Sequence, residues 1–341
     1  MFSTSANNET HNPPDAVLGS SIALISADYR LLFPFSARHI HEDVLALFSY
    51  LSASVNRDLI AQSPTMLPAY LISEKLFAVA GTSAGAYPAM LAALYATPRP
   101  RALFSLYGIG GDLLSPFYVH QAPLSGWESN LGDNRMFLTP TDQDKLSLLP
   151  GLSNCPADLP SNVVIPGYEA RVKSLYRKLL ENGTFLDHLM AFPGLGELLL
   201  QAGKKDTRPD PTSLSAVNCS STSMGSSGTS PSSSDTQRLK KQKMEAAIPE
   251  SIRYLFPQLH ITSKFPPTYL VHGTNDKLVD CRESKEMAKR LYEVGVKCDL
   301  VLAGGLGHAF DMDHVSGAMG RVLWDRFLGE VVPFLLKHLK E

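Results

Sequence analysis

A serine, an aspartate and a histidine stand in that order along this chain, each on a turn that follows an apolar run: Ser83, Asp276 and His308. A serine hydroxyl is a poor nucleophile in water. It attacks a carbonyl only when an imidazole takes its proton, an acid orients that imidazole, and N–H groups hold the oxyanion that forms. Ser83 is the centre of Gly81-Thr82-Ser83-Ala84-Gly85, set between the run Leu76-Phe77-Ala78-Val79-Ala80 and the small-residue, apolar stretch Ala86 to Ala96. This reads as strand, sharp turn and helix, the Gly-x-Ser-x-Gly pattern that lifts a serine clear of a sheet while its glycines let the backbone pass closely. Ala84, the residue after the serine, is the candidate oxyanion donor through its N–H. Taken alone the pentapeptide is often only a turn, so the later partners carry the weight.

Those partners occur at matching punctuation. Pro267-Thr268-Tyr269-Leu270-Val271-His272-Gly273 reads as a buried strand running into a turn, and Asp276 follows as the candidate acid. Cys298-Asp299-Leu300-Val301-Leu302 reads as another strand, and Ala303-Gly304-Gly305-Leu306-Gly307 then delivers His308, the candidate base. Asp280 competes as a helix cap or a substitute acid. His272, at a strand end where it would pack or orient a loop, and His314, among acidic residues, compete for the base role.

The elements that must position these groups alternate between strand-like and helix-like at both ends of the chain, which predicts an α/β fold with a mostly parallel sheet. Ile22 to Ser26 reads as a short buried strand, His41 to Ser54 as a helix, and Ala102 to Tyr107 as a strand ending at Gly108. From Leu113 to Phe256 the pattern gives way to Pro-rich loops and helices, notably Tyr168 to Glu181 and Phe185 to Phe192, as expected of a cap over an active site. Within it, residues 206–237 are dominated by Ser, Thr, Pro and Gly and lack the apolar surface that ordering requires. A packing helix around Val322 to Leu339 closes the chain. The expected division is a polar segment 1–19, a first core half 20–112, a cap 113–255 with a disordered insertion, and a second core half 256–341.

With 341 residues the chain can bury a large core, and a formal charge of −2 points to neither nucleic acid nor an anionic membrane. No apolar run reaches the roughly 18 residues of a membrane span. The start of the chain, Met1 to Gly19, lacks the basic and apolar halves of a secretory signal. Cys155, Cys219, Cys281 and Cys298 are scattered without metal-ligand spacing, so a reduced, cytoplasmic setting is the simplest account. His39 and His41, beside Glu42 and Asp43, lack a further ligand set that would make them a metal site.

Four segments together resemble the α/β-hydrolase fold, and within it the hormone-sensitive-lipase-like (fold-3) esterase branch. They are Asp28-Tyr29-Arg30-Leu31 followed by Glu42-Asp43, the turn Gly81 to Gly85, His272-Gly273-x-x-Asp276-x-x-Val279, and Gly307-His308-Ala309-Phe310. Tyr107-Gly108-Ile109-Gly110-Gly111-Asp112 is similar to a variant of fungal members. The likeness implies a cofactor-independent serine carboxylesterase with Ser83 as nucleophile, His308 as base and Asp276 as acid, acting on a small to medium acyl or aromatic ester. That branch also carries a His-Gly-Gly-Gly loop upstream of Asp-Tyr-Arg-Leu, which supplies oxyanion donors, and this sequence has none there. The resemblance therefore implies that the first three strands of the fold are missing. The strand at Ile22 to Ser26 must then pair directly with the one at Leu76 to Ala80 or leave buried backbone groups unpaired. Ala84 N–H remains for the oxyanion, with Gly110 or Gly111 as a second source. Two rival expectations are a catalytically impaired ligand-binding protein on the same scaffold and a prolyl-oligopeptidase-like peptidase.

Overall fold

Four short apolar runs form one parallel sheet in a computed structural model, which describes residues 22–32, 35–62, 71–119, 176, 179–204, 233–311 and 326–340. The strands are β1 (Ala78–Thr82), β2 (Ala102–Leu106), β3 (Thr268–Gly273) and β4 (Cys298–Ala303). Their order in the sheet is their order in the chain, with Val79 beside Leu103, Phe104 beside Tyr269 and Leu270 beside Leu300. Each parallel step needs a crossover, and helices Ala86–Tyr95 and Arg282–Glu293 supply two of them. The central strands β2 and β3 are buried along their whole length, as expected of strands covered on both faces.

Alternate residues of the strands feed two cores, because successive side chains of a strand point to opposite faces. On one face Val79, Leu103 and Leu270 pack with Val44 and Phe48 of helix Ala37–Ala53, Met90 of helix Ala86–Tyr95, and Met287 and Leu291 of helix Arg282–Glu293. On the other, Phe104, Tyr269 and Val271 pack with Phe310, Val331 and Phe334. Helix Ala86–Tyr95 packs directly on the sheet, since Ala86, Ala89, Ala92 and Ala93 are fully buried and short enough for close approach. Pro88 fits in its first turn, where a missing N–H leaves no intrahelical bond unmade.

A third core joins segments that lie between β2 and β3 in sequence. Tyr118, Leu180, Leu186, Leu199, Met244 and Phe256 cluster with Tyr87 and Leu91 of the helix after β1. The Tyr87 hydroxyl donates to Leu255 O at 2.6 Å, and Tyr95 donates to Tyr254 O at 2.8 Å. The segment around residue 255 is thereby tied to the helix that starts at the Ser83 turn.

Several expectations need correction. Ile22 to Ser26 is not a strand: the backbone there is irregular, Leu24 is half exposed, and no residue of the five is buried. It therefore does not pair as a strand with Leu76 to Ala80, whose strand β1 pairs with β2. The closing helix is Val331–Lys340 rather than one run from 322, with a turn over residues 328–330. Pro333 explains the break, since it lacks an N–H and its ring would strike the carbonyl four residues earlier in a continuous helix, whereas the first turn of a new one accepts it. Helix Phe185–Leu189 stops short of Phe192, as Ala191 turns left-handed at φ +50 ahead of Pro193. The Ser-rich stretch ends sooner than its composition implies: Ser233–Ala247 is a helix, anchored by buried Met244 and by Lys241, while residues 206–232 lie outside the described residues. Residues 1–21, and with them the question of the upstream loop, also lie outside, as do 168–175, Cys155, Cys219 and His314. Among the described residues no helix is long and apolar enough to cross a membrane.

Candidate functional site

The turn after β1 concentrates strain on one residue. Thr82 is extended, Ser83 has φ +53, and a short 3-10 turn Ser83–Gly85 leads straight into helix Ala86–Tyr95. A positive φ on a serine costs about 1 kcal/mol or more and persists only where surrounding contacts enforce it. Those contacts are visible. A side chain on Gly81 would collide with the backbone of Gly85 and Ala86, so the strand end passes directly under the helix start. Ile109 N–H, from the loop after β2, holds Ser83 O at 3.2 Å.

The loops after β3 and β4 are stitched together. Thr274 N–H donates to Ala303 O and Asn275 N–H to Leu306 O, both at 2.9 Å, and Gly305 N–H donates to Thr274 Oγ1 at 2.8 Å. A side chain on Gly273 would run into the carbonyls of Leu306 and Gly307. The result is that Asp276 and His308 meet, with Nδ1 of the imidazole 2.7 Å from Asp276 Oδ2. The opposite nitrogen, Nε2, lies 2.9 Å from Ser83 Oγ. Because Nδ1 faces a carboxylate it carries the proton, which leaves Nε2 free to accept the serine proton. The structure thus brings Ser83, His308 and Asp276 together across 225 and 32 residues of chain.

Asp276 is held in its charged form. Burial of its side chain disfavours the charge, but hydrogen bonds from His272 and His308, the electrostatic pull of the His308 imidazole and the Val279 N–H outweigh that and bring its pKa to about 2. Its Oδ1 accepts N–H bonds from Leu278 and Val279, each at 2.9 Å. The carboxylate therefore keeps its orientation without help from solvent.

The remaining candidates take other roles. Asp280 accepts the Arg282 N–H at 2.9 Å and stands at the start of helix Arg282–Glu293, a helix-start role. His272 is fully buried beside Asp276, its Nε2 3.0 Å from Val279 O and 3.3 Å from Asp276 Oδ2. His39 turns its Nδ1 back to the Ser36 N–H and hydroxyl, and His41 packs edge-on between Tyr95 and Tyr254. Glu42 and Asp43 bind Arg30. Among the described residues no three His, Cys, Asp or Glu side chains are placed to hold a metal ion, and Cys281 and Cys298 are unpaired thiols.

Gly110 and Gly111 are not a second oxyanion source. Their N–H groups, with that of Asp112, converge on one oxygen of Glu283 at 2.8, 2.6 and 2.9 Å. Burial raises the Glu283 pKa to about 7, against the opposing pull of those N–H bonds. Sequence reasoning missed this carboxylate, because Glu283 sits among Arg282, Lys285 and Glu286 in a strongly charged helix and reads as part of its solvated face. Tyr107 was missed as well. Its ring lies 4.6 Å from the His308 ring, its hydroxyl donates to Asp311 Oδ1 at 2.6 Å, and its φ is +39.

No family model and no curated protein sequence matches the chain. Solved structures do. An acetyl ester-xyloside bifunctional hydrolase from Caldicellulosiruptor lactoaceticus is 13% identical, with 95% of this chain and 73% of that one covered and a TM-score of 0.41. A sugar hydrolase from Lactococcus lactis is 14% identical, with 95% and 81% covered and a TM-score of 0.42. An esterase from Mycobacterium marinum is 13% identical, with 96% and 66% covered and a TM-score of 0.44. Likeness at this level is too slight to assign chemistry, which has to come from the side chains themselves.

Proposed function

We propose that this chain is a serine hydrolase of the α/β-hydrolase type that cleaves carboxylic esters through an acyl-enzyme intermediate. The observation that carries the reading is the continuous relay from Ser83 Oγ through His308 to Asp276, at 2.9 and 2.7 Å, with the serine held at a strained positive φ. A serine packed for structural reasons alone has no need of either feature.

In this reading Ser83 Oγ attacks the ester carbonyl carbon as its proton passes to His308 Nε2. The oxyanion forms beside the Ala84 N–H, and Asp276 stabilises the imidazolium without taking its proton. Collapse of the tetrahedral adduct breaks the bond to the leaving alkoxide, which receives the proton from Nε2. Water then gives its proton to the same nitrogen and attacks the acyl carbon, and the released Ser83 Oγ recovers a proton as the acid departs. The apolar cluster of Tyr118, Leu186, Leu199 and Phe256 supports a cap made from the segments between β2 and β3, and the substrate in this reading is an ester of a small or medium acyl or aromatic group.

A second reading, a ligand-binding protein of low turnover, is favoured by the engagement of the Gly110 and Gly111 N–H groups by Glu283. Loss of one oxyanion donor costs on the order of 10²- to 10³-fold in turnover, so an intact relay can still be slow. Fluorophosphonate labelling of the purified chain beside Ser83→Ala, with short p-nitrophenyl esters assayed in parallel, separates the two. Labelling at Ser83 with turnover supports the esterase. A folded protein that stays unlabelled sinks it and leaves the binding reading.

A further inference from the structure

Two adjacent residues of one helical turn reach opposite halves of the site. Glu283 and Ser284 lie in the first turn of helix Arg282–Glu293, and both are buried, unlike most charged and polar residues of so polar a helix. A carboxylate withdrawn from water needs a compensating structure. Here Glu283 Oε2 gathers the N–H groups of Gly110, Gly111 and Asp112. The same loop continues backward into Ile109, whose N–H holds the carbonyl of Ser83. The loop lies tight against its neighbours, since a side chain on Gly108 would strike Ala86 and Ser105, and one on Gly111 would strike the backbone of Glu283.

Ser284 faces the other way. Its Oγ lies 2.7 Å from His272 Nδ1. His272 Nε2 is surrounded by two acceptors, Val279 O and Asp276 Oδ2, so the proton sits on Nε2 and Nδ1 accepts the Ser284 hydroxyl. This fixes the ring that donates to the acid and to the carbonyl of Val279, whose own N–H binds Asp276 Oδ1.

We propose that Glu283 and Ser284 are paired positioning residues: one turn of helix braces the nucleophile side through the 109–112 loop and the acid side through His272, and so sets the spacing that lets His308 touch both. The proposal rests on the hydrolase reading for its consequence in catalysis, though the brace itself is a matter of geometry. The two arms are separable. Removing the Glu283 acceptor loosens Ser83 but leaves the His308–Asp276 contact in place, and removing the Ser284 hydroxyl does the reverse.

The test uses the full chain with Glu283→Ala, Glu283→Gln and Ser284→Ala, each shown to melt cooperatively. Two signals are read: the second-order rate of fluorophosphonate labelling at Ser83, and the low-field proton resonance of His308 Nδ1–H, which needs no turnover. Misplacement of a reacting group by about 1 Å costs on the order of 10²-fold, so Glu283→Ala and Ser284→Ala are expected to slow labelling ~10- to 100-fold. Glu283→Gln, which keeps an acceptor oxygen for the three N–H groups, stays within ~3-fold of the parent. The proton resonance moves or broadens in Ser284→Ala and stays put in Glu283→Ala. Should Glu283→Ala fail to fold, Glu283→Asp, shorter by one carbon–carbon bond of ~1.5 Å, draws the loop off line and gives the same pattern. Folded variants that label at the parent rate, or a Glu283→Gln as slow as Glu283→Ala, overturn the brace. A parent chain that does not label, with the proton resonance still responding to Ser284→Ala alone, overturns the hydrolase reading and leaves the brace standing.

Discussion

Asp276 and His272 lie four residues apart and share a wholly buried contact, with the imidazole Nε2 3.3 Å from the same carboxylate oxygen that faces His308. The acid thus receives two imidazoles on one oxygen and two backbone N–H groups on the other. Nothing in that shell favours its protonated form except burial.

The first prediction concerns acid. The Asp276 pKa falls from an ordinary 3.8 to about 2 on folding, so the folded state binds fewer protons there than the unfolded chain. The stability this contributes, about 2 kcal/mol, is fully present above about pH 4 and is lost as the pH drops toward about 2. Asp276→Asn is expected to be less stable than the parent at pH 7 by roughly that amount, with the two denaturant midpoints converging in the acid window. Parallel curves down to pH 2 would show that the carboxylate is not held in this way. Labelling of Ser83 at pH 7 should fall by about 10⁴-fold in the same variant, as an amide favours the wrong imidazole tautomer.

The second concerns the strain at Ser83. Its φ of +53 is a conformation that glycine adopts freely and other residues do not. Ser83→Gly and Ser83→Ala both abolish labelling, yet the glycine variant should be the more stable of the two by about 1 kcal/mol. Equal melting temperatures for the pair would mean that the turn is not strained.

The third lies two residues earlier. Gly81→Ala places a methyl group against the carbonyl of Gly85, with backbone rather than a movable side chain in the way. The elbow must open for it, and such overpacking costs about 1–3 kcal/mol or more. A lowered melting temperature together with loss of Ser83 labelling is the expected outcome, and a normal rate at normal stability would count against the close passage.

How much of this was legible before the structure depends on how local each signal is. The Gly-punctuated turns at Gly81 to Gly85, Gly273 and Gly304 to Gly307 announce themselves, since a turn after an apolar run is a short-range pattern, and Ser83, Asp276 and His308 sit on them. The strands β1 to β4 fall within two residues of their expected places for the same reason. Glu283 was illegible, because what buries it is a loop more than 170 residues away. The irregular backbone at Ile22 to Ser26 was equally hidden, as an apolar run reads as a strand whether or not a neighbour exists to pair with it. Pro333 was in plain sight and outweighed by the apolar spacing of Phe327, Val331 and Phe334 around it.

The last prediction separates ring from hydroxyl at Tyr107. The ring packs at a tilt against the His308 imidazole, centroid to centroid 4.6 Å, and the hydroxyl donates to Asp311, three residues past that histidine. Tyr107→Phe keeps the ring and removes one hydrogen bond to a charged group, which costs roughly 1.5–3 kcal/mol when the acceptor is left without it. The His308 loop loses a tether but the imidazole keeps its wall, so labelling of Ser83 should slow only a few-fold while thermal stability drops. Tyr107→Ala removes both, and the imidazole gains freedom to leave the line between Ser83 and Asp276. Its labelling rate should fall about tenfold below that of Tyr107→Phe, beyond any further loss of stability, because the orientation of the base is what the ring supplies. If the two variants label equally while differing in melting temperature, the ring serves the core with Phe310 and not the base.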